Sequence, residues 1–92
     1  MSLLSEKQIS AGMKTIKGWK RNGGAIYRVA VKKDFVQAMG FVQSVALLAE
    51  KMDHHPDIDI RWNKVTLVLS THSQGGLTKN DFLLAQQINS LK

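Results

Sequence analysis

Hydrophobic positions change their period repeatedly along this chain, and each change marks an element. Leu4 and Ile9 bracket Ser5-Glu6-Lys7-Gln8, where Ser5 reads as a helix N-cap and Gln8 as its N3 partner in a capping box. Leu4 and Ile9 then form the hydrophobic staple, and a helix is expected from about Glu6 to Lys17, stopped by Gly18. Trp19 to Val31 reads as a hairpin, because Asn22-Gly23-Gly24 tolerates positive φ and Ile26–Val31 is rich in β-formers. Tyr27, Val29 and Val31 alternate with Arg28, Ala30 and Lys32, so the first set is expected to face the core.

After Asp34, which reads as an N-cap with Gln37 at N3, the helical period returns. Phe35, Ala38, Met39, Val42, Val45, Ala46 and Ala49 form an expected core stripe, with Phe41, Leu47 and Leu48 outside it. A helix apolar on more than one side is more than one small sheet can cover, and this points to a subunit interface. Period two follows: Ile58–Trp62 and Val65–Ser70 are expected as strands around a turn at Asn63-Lys64. Gly75-Gly76 interrupts the chain. Thr78 opens a last helix running to about Leu91, with Asp81 completing a capping box and Leu77 and Phe82 its staple. The order α-β-β-α-β-β-α predicts an α+β fold, a four-stranded antiparallel sheet with helices packed on one face.

Length and composition bound this picture. The 92 residues give room for a single domain, 1–92, and 43% hydrophobic with 22% charged residues is ordinary globular composition. So short a chain buries little surface by itself, and with no cysteines neither disulfides nor thiolate metal sites can compensate. Oligomerisation is the remaining common solution, a homodimer or homotetramer. There is no apolar run of membrane-spanning length and no secretory signal pattern at the start, so no membrane partner is expected and the cytoplasm is the default location. The net charge of +6 is lopsided: residues 1–33 hold eight Lys/Arg against one acid, a net of +7, while residues 34–92 hold five against six, a net of −1. Those basic residues are scattered and largely without aromatic neighbours, which fits a solvated face better than a nucleic-acid surface.

Chemistry concentrates around the second hairpin. His54 and His55 enter it and His72 leaves it, so a strand out and a strand back can return His72 towards the pair. Histidine, with an unperturbed pKa of about 6.5, suits a reaction that needs both proton donation and removal near neutrality. Pro56 stiffens the loop by fixing its own φ and restricting His55. On the residues alone, ordinary surface or core histidines weigh about as much as a catalytic group. A metal site using the three histidines and Asp53 is disfavoured, because adjacent residues in extended backbone point to opposite sides. Gly75-Gly76 lacks the preceding strand and glycine spacing of a phosphate cradle.

These residues also carry a resemblance. Ala49-Glu50-Lys51-Met52-Asp53-His54-His55-Pro56, aromatic Trp62, Asn63-Lys64-Val65, Ser70-Thr71-His72 and Gly76-Leu77-Thr78 before Asp81 resemble the pterin-4a-carbinolamine dehydratases. Gly18-Trp19, the Tyr27-x-Val29 strand and Phe35-x-x-Ala38-x-x-Phe41 also fit, so the likeness covers about residues 15–90. Two positions depart from it: Ile58 stands where many animal members carry an aromatic residue, and Trp62 where a tyrosine is usual. The resemblance implies loss of water from a 4a-hydroxytetrahydropterin to give a quinonoid dihydropterin, in the recycling of the pterin used by aromatic amino-acid hydroxylases. It implies a subunit that assembles into dimers or tetramers and needs no metal or organic cofactor, the pterin being the substrate. It maps the catalytic histidines onto His54, His55 and His72, and places Glu50, Asp53, Asp81 and Trp19 around the substrate. Asp81 also reads as a helix cap, and Trp19 as a core or interface aromatic. Relatives that serve as dimerisation or assembly cofactors supply the alternative, a non-catalytic binding protein on the same fold.

Overall fold

The computed structural model describes residues 2–91. Three helices and four strands follow one another as α1 (Glu6–Met13), β1 (Lys20–Asn22), β2 (Ala25–Val31), α2 (Phe35–Met52), β3 (Asp57–Arg61), β4 (Lys64–Leu69) and α3 (Lys79–Asn89), with a single 3₁₀ turn at His72–Gln74 before α3. The strands form one antiparallel sheet in the order β1-β2-β4-β3. This is the expected α+β arrangement.

The capping box of α1 is present as read, Gln8 N–H donating to Ser5 Oγ at 3.2 Å and Ser5 N–H to Gln8 Oε1 at 2.8 Å. The α-helix nevertheless ends at Met13, not near Lys17. Beyond it the bonds become i→i+3, Thr15 N–H to Gly12 O at 2.9 Å and Ile16 N–H to Met13 O at 3.4 Å, and the Thr15 hydroxyl also donates to Gly12 O. Tighter turns let Ile16 and Trp19 both reach the core, where each is almost fully buried. Arg21 on β1 grips Glu6 through two hydrogen bonds of 2.7 and 2.9 Å, fastening α1 to the first hairpin. This hydrogen bonding, with the guanidinium charge, holds the Glu6 carboxyl below its ordinary range.

The buried face of β2 is the opposite of the expected one. Register pairs Ile26 with Leu69 and Ala30 with Val65, and these four residues face the helices, whereas Val29 and Val31 are exposed on the uncovered side. Both faces of β2 are apolar, so its own alternation was ambiguous. The decision falls to β4, where Val65, Leu67 and Leu69 are fully buried on one face. On α2 the buried stripe is likewise turned: Ala38, Phe41, Val45 and Ala49 form it, while Phe35 and Met39 are exposed. The second turn also moves. Arg61 pairs with Lys64, so the connecting residues are Trp62 and Asn63, with Trp62 left-handed at φ 53.

Candidate active site

Two helix ends that the fold brings together build the site: the C-terminus of α2 and the N-terminus of α3. Helix α2 stops because Asp53 takes a left-handed conformation, φ 51 and ψ 45, which aspartate tolerates better than most residues. His54 N–H then returns to Ala49 O at 3.1 Å, closing the helix end. Asp53 is therefore the pivot that releases His54 from the helix. Pro56, two residues on, limits how the loop can move.

The other half comes from the segment after β4. Thr71 pairs with Gly76 across a small loop that contains His72 and the left-handed Gly75. Thr78 then caps α3, and Asp81, in the first turn, is fully buried. Its two oxygens are used differently. Oδ2 accepts Thr78 N–H at 2.8 Å and the Thr71 hydroxyl at 2.8 Å, whereas Oδ1 lies 2.6 Å from His54 Nε2. The Thr71 and Thr78 hydroxyls are 2.7 Å apart. No buried side-chain polar atom among the described residues is left without a partner.

Three donors converging on one buried carboxyl suit a carboxylate, which accepts only. The position of that group at a helix N-terminus adds to the effect. The proton between His54 and Asp81 then belongs on Nε2, so the neutral His54 ring keeps Nδ1 as its free lone pair. The His54 side chain is only 11% exposed, so its surroundings hold it in place.

The other residues read from the sequence are distributed unevenly. His55 pairs through Nε2 with a Glu50 carboxylate oxygen on the surface, half exposed, beside His54 in the chain. His72 follows Thr71 directly and is exposed at the start of the 3₁₀ turn. Trp19 stands apart. Its indole N–H donates to Asn89 Oδ1 at 2.9 Å, near the far end of α3, which lies about 12 Å along the helix axis from Asp81. In this chain it is a core aromatic, 5% exposed, the role favoured for it on physical grounds. Thr71 and Thr78 were visible as motif residues, but neither was assigned to the site. The signal was available in part, since Thr78 at the N-cap must sit against Asp81 at N3. A cleft of about 310 Å³ lined by Lys32, Gln37, Gly40, Phe41, Ser44 and Leu91 lies along the other half of α2 and holds none of these groups.

The sequence profile of the family described as pterin 4 alpha carbinolamine dehydratase matches residues 2–91. The chain belongs to that family. Among similar proteins, a candidate pterin-4-alpha-carbinolamine dehydratase from Mycobacteroides abscessus is 46% identical over 90 residues, covering 98% of this chain and 96% of the relative. One from Roseiflexus castenholzii is 49% identical over 90 residues, covering 98% and 97%. A crystal structure described as a transcriptional coactivator/pterin dehydratase from Brucella melitensis superposes with a TM-score of 0.91 at 37% identity, covering 95% of each chain.

Proposed function

We propose that this chain is a hydro-lyase that converts 4a-hydroxytetrahydropterins to quinonoid dihydropterins, with His54 and His72 sharing the proton transfers and His55 holding the pterin. Family membership supports the reaction class, and the buried His54–Asp81 contact is the observation that carries the mechanism. The reaction breaks the C4a–O bond, takes a proton from N5 and delivers one to the departing hydroxyl, so that water leaves and a C4a–N5 double bond forms. A base is needed on one side of the pterin and an acid on the other.

His54 fits the base. With its single neutral-state proton committed to Asp81, Nδ1 is free to accept the N5 proton, and the imidazolium that forms lies against the carboxylate. His72, exposed on the loop that begins at Thr71, is assigned the acid. The His55–Glu50 pair at the surface is assigned to substrate positioning, with Asp53 shaping the turn between them. Recycling of the pterin spent by aromatic amino-acid hydroxylases is the role this activity would fill, and a homodimer or homotetramer is the form proposed for it. The rate of dehydration measured against pH tests the scheme. It is expected to depend on groups that titrate near neutrality, and a flat profile from mildly acidic to mildly alkaline pH would rule out histidine acid/base chemistry.

The word coactivator in the description of the Brucella melitensis structure favours a second reading, docking to another protein. Exposed Val36, Met39 and Leu47 on α2 supply an apolar surface for it. Stable complex formation without any turnover would select that reading.

A further inference from the structure

We infer that Thr71 is a positioning residue for the dehydration, its hydroxyl fixing the plane of the Asp81 carboxylate so that Oδ1 stays aimed at His54. The inference rests on the reading of His54 as the base. Asp81 alone does not secure that aim. A carboxylate turns easily about its last side-chain bond, a broad two-fold torsion, and the helix-capping bond from Thr78 N–H would survive much of that rotation. A second donor on the same oxygen removes the freedom. Thr71 supplies it from outside the helix, at 2.8 Å and from ten residues away in the chain.

The direction of the hydrogen bonds follows from counting protons. A carboxylate accepts only, and each threonine hydroxyl carries one hydrogen. Thr71 therefore donates to Asp81 Oδ2, which leaves its oxygen to accept from Thr78 at 2.7 Å. The chain runs Thr78 to Thr71 to Asp81, with His54 on the opposite oxygen. Thr71 is itself firmly held. Its N–H donates to Gly76 O at 2.8 Å, and its carbonyl accepts from Gln74 N–H and Gly75 N–H, each at 3.0 Å. Its side chain branches at Cβ, which restricts rotation further, and the residue is only 9% exposed. The same backbone leads directly into His72. One residue thus fixes the carboxylate behind His54 and anchors the strand end from which the second histidine departs.

Three substitutions test this in the full chain: Thr71→Val, which keeps the shape and deletes the hydroxyl; Thr71→Ala, which deletes hydroxyl and methyl together and so puts no apolar group against the carboxylate; and Thr71→Ser, which keeps the hydroxyl. Turnover of 4a-hydroxytetrahydropterin is followed alongside nitrogen NMR of ¹⁵N-histidine-labelled, ligand-free protein. Thr71→Val and Thr71→Ala are expected to lower kcat about tenfold or more, the scale of one lost hydrogen bond to a charged group, with KM within about twofold. Their neutral His54 ring is expected to lose its single Nε2–H tautomer and give a mixture. Thr71→Ser is expected to keep the wild-type tautomer and kcat within about threefold, a rescue that a purely structural role would not single out. Wild-type tautomer and kcat in both hydroxyl-deleted variants would overturn the inference. If wild-type protein gives no turnover while the tautomer still shifts in the variants, the positioning of His54 by Thr71 stands and the dehydratase reading falls.

Discussion

Asp81 performs two tasks because its two oxygens face different ways. A helix cap requires one acceptor at N3, and Oδ2 meets that need; the spare Oδ1 is then available to a histidine arriving from another helix. The first task was legible in the sequence, from Thr78-x-x-Asp81; the second was not, since the resemblance placed Asp81 around the substrate and only the fold sets it against His54. The Thr71 contact was not, since nothing in a linear pattern says that a residue at a strand end reaches the first turn of the next helix. Trp62 shows a different limit. Asn63-Lys64 looks like the better turn, yet Asn63 is held by Lys32, accepting its N–H at 2.8 Å and donating from Nδ2 to its carbonyl at 2.9 Å. Register then forces Trp62 into the left-handed region at φ 53. A bulky side chain there costs on the order of 1 kcal/mol. Trp62 is largely exposed, so Trp62→Gly sacrifices little packing and is expected to raise unfolding stability by up to about 1 kcal/mol in urea titrations. A loss of stability would mean that the indole makes a contact outweighing the strain.

Helices were placed by their caps and periods, but their facing was decided by neighbours. Helix α2 is apolar nearly all round, so its period could not distinguish the side bearing Phe35 and Met39 from the side bearing Phe41. Phe41 is buried beneath β2, with Lys32 Nζ 4.2 Å from its ring centre, and that contact settles the rotation. Strand β2 was misread for the same reason, and β4 corrected it. Between α1 and α3 the decisive residue is Gly12. A Cβ there would stand 2.8 Å from two atoms of the Phe82 ring, which is buried and has little room to yield. Gly12→Ala gains about 1 kcal/mol of helix propensity. Overpacking costs about 1–3 kcal/mol, so the net expectation is a loss of up to about 2 kcal/mol. The midpoint of urea unfolding reads this directly, and an increase would show that the helices can move apart freely.

For the whole molecule, size and surface point the same way. A chain of 10.3 kDa leaves Val36 79% and Leu47 65% exposed on one helix, with Phe35 and Met39 beside them. Apolar area of this kind on a small domain is expected to be covered by a second copy. Light scattering at micromolar concentration is expected to give a multiple of 10.3 kDa, and Leu47→Glu to reduce it. A protomer mass for the unaltered protein would leave α2 free for another partner. The overall architecture was readable because capping boxes, glycine turns and period changes agree along most of the chain. The site was readable only as a set of residues, since its geometry depends on two helix ends meeting across the fold.

The central claim is that this chain dehydrates 4a-hydroxytetrahydropterin through His54 backed by Asp81. The most direct test follows the disappearance of that intermediate by absorbance, with wild-type protein and with folded His54→Ala and His72→Ala variants. The wild-type chain is expected to outpace the spontaneous reaction, and each substitution to lower kcat on the order of 10²–10⁴-fold, the usual worth of a positioned acid or base. No acceleration by the wild-type protein, or full activity in folded His54→Ala, would contradict the account.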